Sequence, residues 1–192
     1  MPLRITVISD KSDASPLGAG VKEELLRRLK GNGFDPEVFD LELEDLHHCT
    51  GCFGCWLKTP GVCIFGDVGR DLCGSIMRSD LTVFISPVKY GCYSPVIRRV
   101  WDRLIPVILP FFKKIGGEVH HAPRYDRYPG VVVVGVGPNI AAHEAETFKS
   151  LTDANALNFH AGAAKTYICR EERDIAALIR SLLRYLQERK AA

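Results

Sequence analysis

Four of the seven cysteines lie within a stretch of fifteen residues, namely Cys49, Cys52, Cys55 and Cys63. Thiols crowded in this way are typical of proteins that hold a metal or an iron–sulfur cluster, or that carry out redox chemistry. Two residues separate each of the first three cysteines from the next, a spacing that ferredoxin-type clusters also use. Gly51 and Gly54 lie between them and permit the positive φ angles of a tight turn that brings the thiols to one centre.

The residues alone leave four interpretations of these thiols open. A [4Fe-4S] cluster fits the compact triple together with Cys63 as the fourth ligand. Zinc would use the same set, with His47 or His48 in place of one thiolate, although structural zinc sites more often join two separated pairs. Cys52 and Cys55 can also form a redox-active dithiol, but no helix N-terminus is evident there. Finally, the segment can be a remnant loop of free thiols packed at a subunit interface.

Length and composition predict one domain over residues 1–192, with a cysteine-rich insertion at about 41–67. The chain has 192 residues, of which 46% are hydrophobic, and this is enough to bury a sizeable core. Its 25 basic and 23 acidic residues give a net charge of +2, and the two signs are interspersed along the chain. No nucleic-acid or anionic-membrane partner is therefore expected.

The pattern at the start of the chain predicts a cytoplasmic protein. Leu3 to Ile8 already has the composition of a buried strand, which leaves no room for a cleavable leader. The longest apolar stretch, Leu104 to Phe112, is too short to cross a bilayer and contains two prolines. In a reducing compartment the cysteines are not expected to form a disulfide framework, and Cys73 and Cys169 are predicted to be core residues.

Strands alternate with amphipathic helices along the chain. Strands are predicted at 3–8, 37–39, 81–86, 131–135 and 165–169, and helices at 21–29, 70–77, 94–104, 141–151 and 171–188. The segments 41–67 and 116–121 are predicted to be an irregular insertion and a polar loop. Five strands separated by helices predict an α/β fold with a parallel sheet and right-handed crossovers.

In such a sheet, ligands bind beyond the carboxyl ends of the strands, where the winding direction reverses. The loop after the first strand has neither the G-x-G-x-x-G fingerprint nor the P-loop motif. It does contain Ser9, Lys11, Ser12 and Ser15, whose hydroxyls and backbone N–H groups can cradle a phosphate at the start of a helix. An alternative is that Ser15 only caps that helix, with Pro16 in its first turn.

The order of these motifs resembles one protein family. The span from Cys49 to Cys63, then Asp67, Ser86-Pro87-Val88 and Asp102-Arg103, is similar to the NADPH-dependent FMN reductase family of flavodoxin-like proteins. Within it, the segment is most similar to the iron-sulfur flavoproteins. The resemblance covers roughly residues 1 to 170. It implies a flavodoxin-like, doubly wound sandwich with strand order 2-1-3-4-5, bound FMN, and a homodimer or tetramer.

The resemblance also implies roles for individual residues. It assigns Ser9, Lys11 and Ser15 to the phosphate loop. Two loops would lie against the isoalloxazine ring, one formed by Pro87, Val88, Lys89, Tyr90 and Gly91 and the other by Gly135, Val136, Gly137 and Pro138. Tyr90 offers an aromatic face for stacking, and N–H groups near Gly91 can stabilise the reduced ring. Asp10 and Asp13 place negative charge near the expected phosphate, which opposes its binding unless Lys11 and the helix dipole outweigh it.

The expected function is therefore that of an FMN-dependent oxidoreductase. The flavin would take a hydride from NAD(P)H and pass electrons to an unknown small-molecule or protein acceptor, through the iron-sulfur cluster if one is bound. Two alternatives stay open at this point. One is a non-catalytic flavodoxin-like electron carrier, since no nicotinamide motif is visible. The other is a metal-binding module that has lost its flavin.

Overall fold

The computed structural model describes residues 3–13, 15–161 and 164–191. Its strands are β1 (Ile5–Asp10), β2 (Glu37–Leu41), β3 (Leu81–Pro87), β4 (Ile108–Ile115), β5 (Glu118–Pro123), β6 (Gly130–Val136) and β7 (Ala164–Cys169). Its helices are α1 (Pro16–Gly31), α2 (Gly54–Leu57), α3 (Val68–Arg78), α4 (Pro95–Asp102), α5 (Ala142–Asn158) and α6 (Glu172–Ala191). The predicted strands and helices are all present, with ends that shift by a few residues.

Five strands form one sheet in the order β2-β1-β3-β6-β7. All four neighbouring pairs are parallel, so counting only these strands along the chain gives the predicted order 2-1-3-4-5. The central strands β1, β3 and β6 are buried along their whole length. Continuous apolar runs such as Val131–Val134 have this composition because helices cover both faces of the sheet.

Two helical layers cover the sheet, because successive strand residues point to opposite faces. On one face, Val132 and Val134 pack in a buried cluster with residues of α1 and α6. On the other, Val131 and Val133 pack with residues of α3, α4 and α5. Cys73 and Cys169 are buried in these clusters, as predicted.

The prediction of a polar loop at 116–121 was wrong. β4 and β5 form an antiparallel hairpin that stands apart from the main sheet, with Lys113 paired to His120. Gly116 and Gly117 make its turn with φ angles of 58° and 91°, as a tight hairpin turn requires. The hairpin exposes Phe111 and Phe112, so its sequence lacks the alternation of apolar and polar residues that identifies a strand.

The cysteine-rich segment is less irregular than predicted. A one-turn 3-10 helix spans Leu43–Asp45, and the short helix α2 follows among the cysteines. The indole N–H of Trp56, in α2, donates to the carbonyl oxygens of Ile105 at 3.2 Å and Ile108 at 2.9 Å. These bonds fix the segment against the chain that leads from α4 into the hairpin. Over the described parts of the chain, no helix combines the length and apolarity needed to cross a membrane.

Candidate functional site

A cavity of about 330 Å³ lies at the carboxyl edge of the sheet, where the loops after β1, β3 and β6 meet. Its walls are formed by Asp13, Ser15, Pro87, Val88, Lys89, Tyr90, Val136, Gly137, Pro138, Asn139, Ile140 and Glu144. Eight of the predicted binding residues are among them, contributed by all three loops. The structure therefore brings together, at the edge where α/β sheets bind ligands, residues that are up to about 120 positions apart in sequence.

The loop after β3 is a tight turn that presents Tyr90 to solvent. Lys89 and Cys92 exchange backbone hydrogen bonds of 2.9 and 2.8 Å across it. Tyr90 and Gly91 have positive φ angles of 53° and 74°, and the Tyr90 side chain is 95% exposed. Few non-glycine residues adopt this conformation, so the turn that holds the phenol ring outward costs conformational free energy in the backbone. A planar ligand in the cavity can stack on that ring.

The loop is joined to the sheet on both sides. The N–H of Val88 donates to the carbonyl of Val136 at 3.0 Å, which ties the two ring-side loops together. The hydroxyl of Ser86 accepts from the N–H of Ser94 at 2.9 Å, and Ser94 is the N-cap of α4. The cavity wall is therefore supported by β3, β6 and α4.

Two predicted glycines support the walls and do not line the cavity. Gly91 packs so closely on α5 that a Cβ atom there would lie 2.9 Å from the Cβ of Thr147. Gly135 is buried in β6, where a Cβ would lie 2.8 Å from Val88 and 3.0 Å from Phe148 and Ile168. Both glycines are needed because neighbouring elements approach their Cα atoms.

The hydroxyls of the first loop all donate to carboxylates. Those of Ser9 and Ser15 donate to Asp40 at 2.7 Å and Asp13 at 3.0 Å. That of Ser12 donates to Asp10, and the ammonium of Lys11 pairs with Glu42 at 3.1 Å. Ser15 also caps α1 by accepting from the N–H of Gly18 at 3.2 Å, and Pro16 occupies the first turn. The capping role that the sequence offered as an alternative is present.

The four clustered thiols line a second, smaller cavity of about 90 Å³, together with Arg103. Cys49 and Cys52 are exposed, Cys63 is half-buried and Cys55 is buried. Within the described residues, no group of three or more His, Cys, Asp or Glu side chains is arranged to hold a metal ion. A tetrahedral zinc site is therefore not assembled in this part of the chain, although the thiols share one cavity.

Cys52 and Cys55 differ in their electrostatic surroundings. The N–H of Gly54 is the main cause that lowers the pKa of Cys52 below its ordinary value. Burial, followed by the charge of the neighbouring Cys63, raises the pKa of Cys55. The sequence showed no helix at this pair, but α2 begins at Gly54, between the two cysteines. Cys52 is therefore the more reactive thiol of the pair.

Two arginines, Arg99 in α4 and Arg103 at its C-cap, position the cysteine segment. Arg99 donates to the carbonyls of Leu43 at 2.6 Å and Leu46 at 2.9 Å. One turn further on, Arg103 donates to the carbonyl of His47 at 2.6 Å. No sequence motif indicated a role for Arg99, although its i, i+4 spacing to Arg103 places both side chains on the same face.

A third cavity of about 580 Å³, larger than the two above, lies between the C-terminal parts of α4 and α5. It shares Cys49, Gly51, Asp102 and Ile105 with the thiol cavity. Its other walls are Arg98, Trp101, Leu104, Ile108, His121, Leu151, Asn155, Asn158 and Phe159. No sequence pattern indicated this cavity, because it combines residues from α4, β5 and α5 that only the fold brings together.

The sequence profile of the NADPH-dependent FMN reductase family matches residues 3–164. The chain belongs to this family. The predicted family is thereby confirmed, and membership makes the protein an NAD(P)H-dependent flavin oxidoreductase. No curated protein matches the chain.

Solved structures of several oxidoreductases share the fold. An azoreductase from Bacillus anthracis matches with a TM-score of 0.62 and 14% identity, over 97% of this chain and 100% of that one. An NAD(P)H:quinone oxidoreductase from Methanothermobacter marburgensis matches with a TM-score of 0.63 and 14% identity, over 88% of this chain and 83% of that one. FerB, an NAD(P)H:acceptor oxidoreductase from Paracoccus denitrificans, matches with a TM-score of 0.59 and 13% identity, over 97% of this chain and 98% of that one. At these identities the likeness of this FMN reductase family member to them is one of fold.

Proposed function

We propose that the protein is an FMN-dependent NAD(P)H:acceptor oxidoreductase whose isoalloxazine ring binds in the cavity at the carboxyl edge of the sheet. The observation that carries this proposal is the convergence of the two ring-side loops, 87–90 and 136–140, on one cavity of about 330 Å³. The known azoreductase, quinone and acceptor oxidoreductases of the same fold support it. A cavity of this size is within the range that small-molecule sites occupy.

The ring end of the cavity fits a flavin. Tyr90 offers an exposed aromatic face, while Val88 and Ile140 contribute apolar surface. Lys89 also lines the cavity and would contribute positive charge that favours the reduced, anionic ring. Bound FMN supplies hydride acceptance and the transfer of one or two electrons. The residues of the chain hold the ring between the loops, exclude water from one of its faces and stabilise its charge.

The phosphate end fits less well. An anion at the start of α1 would use the N–H and the hydroxyl of Ser15, and Asp13 accepts from both groups, at 3.1 and 3.0 Å. Rotation of the Asp13 side chain away from α1 would free them. We therefore place the phosphate of FMN at this position only in a state in which Asp13 has moved.

We further propose that Cys49, Cys52, Cys55 and Cys63 would be the ligands of a [4Fe-4S] cluster, which would supply one-electron chemistry beside the flavin site. Their common cavity and the buried cation of Arg103 beside it support this assignment. A cubane cluster is larger than one metal ion, so its ligands stand further apart than those of zinc. The acceptor is a small molecule or a redox protein, and a homodimer or tetramer is the assembly that the family resemblance implies.

Anaerobic purification tests both cofactors. Two flavin absorption bands together with a broad shoulder and matched iron and acid-labile sulfide are expected. NADPH or NADH should bleach the flavin bands rapidly, whereas bleaching by dithionite alone would mean a carrier without nicotinamide chemistry. A colourless protein that takes up no added flavin would contradict the proposed function.

Replacement of single cysteines separates the two sites. Cys52→Ser should abolish iron and sulfide and leave flavin content unchanged. Thr50→Ser is the control, because Thr50 is exposed in the same segment and carries no thiol, and it should retain both cofactors. Simultaneous loss of flavin and iron in Cys52→Ser would contradict the assignment of separate sites.

A further inference from the structure

The N-terminus of α1 is already occupied by a carboxylate of the chain itself. Asp13 accepts from the N–H of Ser15 through Oδ1 at 3.1 Å and from its hydroxyl through Oδ2 at 3.0 Å. Ser15 in turn accepts from the N–H of Gly18 at 3.2 Å. These groups form the end of the helix at which an external anion would otherwise bind. Asp13 also lines the cavity at the carboxyl edge of the sheet.

Gly18 makes room for this carboxylate. A Cβ atom at position 18 would lie 2.2 Å from Oδ2 of Asp13 and 3.1 Å from its Cγ, so the carboxylate would have to shift. The carboxylate of Asp13 thus lies directly against the first turn of α1, in space that any other side chain at position 18 would fill. This space, the seat of Asp13, exists because residue 18 is glycine.

The surrounding charges do not favour a phosphate dianion. Lys11 is the basic residue of the loop, and its ammonium is paired with Glu42 at 3.1 Å. Asp10 accepts from the N–H of Ser12 at 2.9 Å, which places a second carboxylate in the same loop. A phosphate would therefore have to expel Asp13 and then remain close to the expelled charge.

We propose that Asp13 is a built-in competitor for the flavin phosphate, so that the protein selects flavin by its ring and binds riboflavin at least as tightly as FMN. This inference rests on the proposed flavin site and specifies which flavin the site takes. A carboxylate two residues from the helix end has a very high effective concentration there. The phosphate contributes little net affinity because its own contacts replace those of Asp13.

Equilibrium titration of the flavin-free full-length protein tests the inference. Quenching of flavin fluorescence gives the dissociation constants of riboflavin and FMN for the wild type and four variants. Asp13→Gly vacates the seat, Asp13→Asn keeps its shape without its charge, and Gly18→Ala fills it with a methyl group. Glu23→Gln is the control, because it removes one negative charge from the exposed surface of α1. Thermal unfolding of each variant shows that it is folded.

The wild type should bind riboflavin at least as tightly as FMN. Asp13→Gly should tighten FMN binding by about tenfold, since one charge-assisted phosphate contact is worth about that much, and should leave riboflavin within about twofold. Asp13→Asn should give a smaller gain, and Glu23→Gln should give none. Gly18→Ala should give no gain either, because its methyl group fills the seat and the charge of Asp13 stays nearby.

Two results would overturn the inference while the proposed function stands. One is a wild type that binds FMN more tightly than riboflavin. The other is an FMN-to-riboflavin ratio that Asp13→Gly does not change. If neither flavin binds to the wild type or to any variant, the proposed function and this inference both fail.

Discussion

Arg103 and Asp67 form a bidentate ion pair that joins the end of α4 to the end of the cysteine segment. The two terminal nitrogens of Arg103 donate to the two carboxylate oxygens of Asp67, each at 2.7 Å. The Arg103 side chain is 1% exposed and that of Asp67 19% exposed. Asp67 also accepts from the N–H groups of His47 at 2.8 Å and Gly69 at 3.0 Å, so it caps α3 as well. This network defines where the thiol loop begins and ends.

Replacing Arg103 by Met should therefore destabilise the fold. Removal of one partner leaves the other buried without its counter-charge, which costs about 3 kcal/mol or more. Urea unfolding measures the loss. Arg98→Met is the matched control on the same helix, because the Arg98–Asp102 pair is exposed, and it should cost less than about 1 kcal/mol. Equal losses in the two variants would contradict the structural role of Arg103.

The same pair predicts a pH dependence of stability. Burial raises the pKa of Asp67, but hydrogen bonds from Arg103 and the N–H of His47 outweigh it and lower that pKa from 3.8 to about 2. A folded-state pKa below the unfolded value stabilises the fold above pH ~4, and the contribution is lost as the pH falls through about 2. The wild type should exceed Asp67→Asn in unfolding free energy near neutral pH, with about 2 kcal/mol from this shift. The difference should shrink towards pH 2. A difference independent of pH would show that the charge of Asp67 is not involved.

The sequence was sufficient to predict the sheet, but not to predict the contacts that its loops make. Apolar runs such as Val131–Val134 identify strands buried on both faces, and their alternation with helices fixes the parallel order. The hairpin was missed because Phe111 and Phe112 are exposed. The serines of the first loop were predicted as candidate ligands. The hydrogen bond from Ser9 to Asp40 was not, because it depends on the pairing of β1 with β2. Such long-range pairings are set by the fold and leave no local pattern.

Thiol reactivity should follow the surroundings of each cysteine. Cys52 is exposed and its pKa is lowered, chiefly by the N–H of Gly54, so a larger share of it is thiolate near neutral pH. Burial raises the pKa of Cys73 to about 12 and that of Cys169 to about 11. In metal-free native protein, iodoacetamide should therefore modify Cys52 first and leave Cys73 and Cys169 unmodified until the protein unfolds. Mass spectrometry of peptides over time measures this order. Early modification of Cys73 would be inconsistent with its buried position.

Gly135→Ala should destabilise the protein by about 1–3 kcal/mol, because overpacking forces neighbouring side chains to move. The added methyl group would lie 2.8 Å from Val88 and 3.0 Å from Phe148. Gly31→Ala is the control, since a Cβ at the end of α1 meets no atom within 4 Å, and it should stabilise slightly or have no effect. Urea unfolding compares the two variants. A neutral Gly135→Ala would mean that the wall between β6 and α5 is looser than its distances indicate.

Tyr90→Ala should weaken flavin binding without changing stability. The phenol ring is 95% exposed, so its removal should alter the unfolding free energy by less than about 0.5 kcal/mol. If the ring stacks on the isoalloxazine, its loss removes about 1 kcal/mol of affinity, a change of about fivefold in the dissociation constant of riboflavin. Riboflavin is the better probe, because its affinity does not depend on the seat of Asp13. Tyr125 is 42% exposed and does not line the cavity, so Tyr125→Ala should leave the dissociation constant of riboflavin unchanged. Equal affinities of wild type and Tyr90→Ala would show that the exposed ring is not a stacking surface, and would shift the ring contacts to Val88 and Ile140.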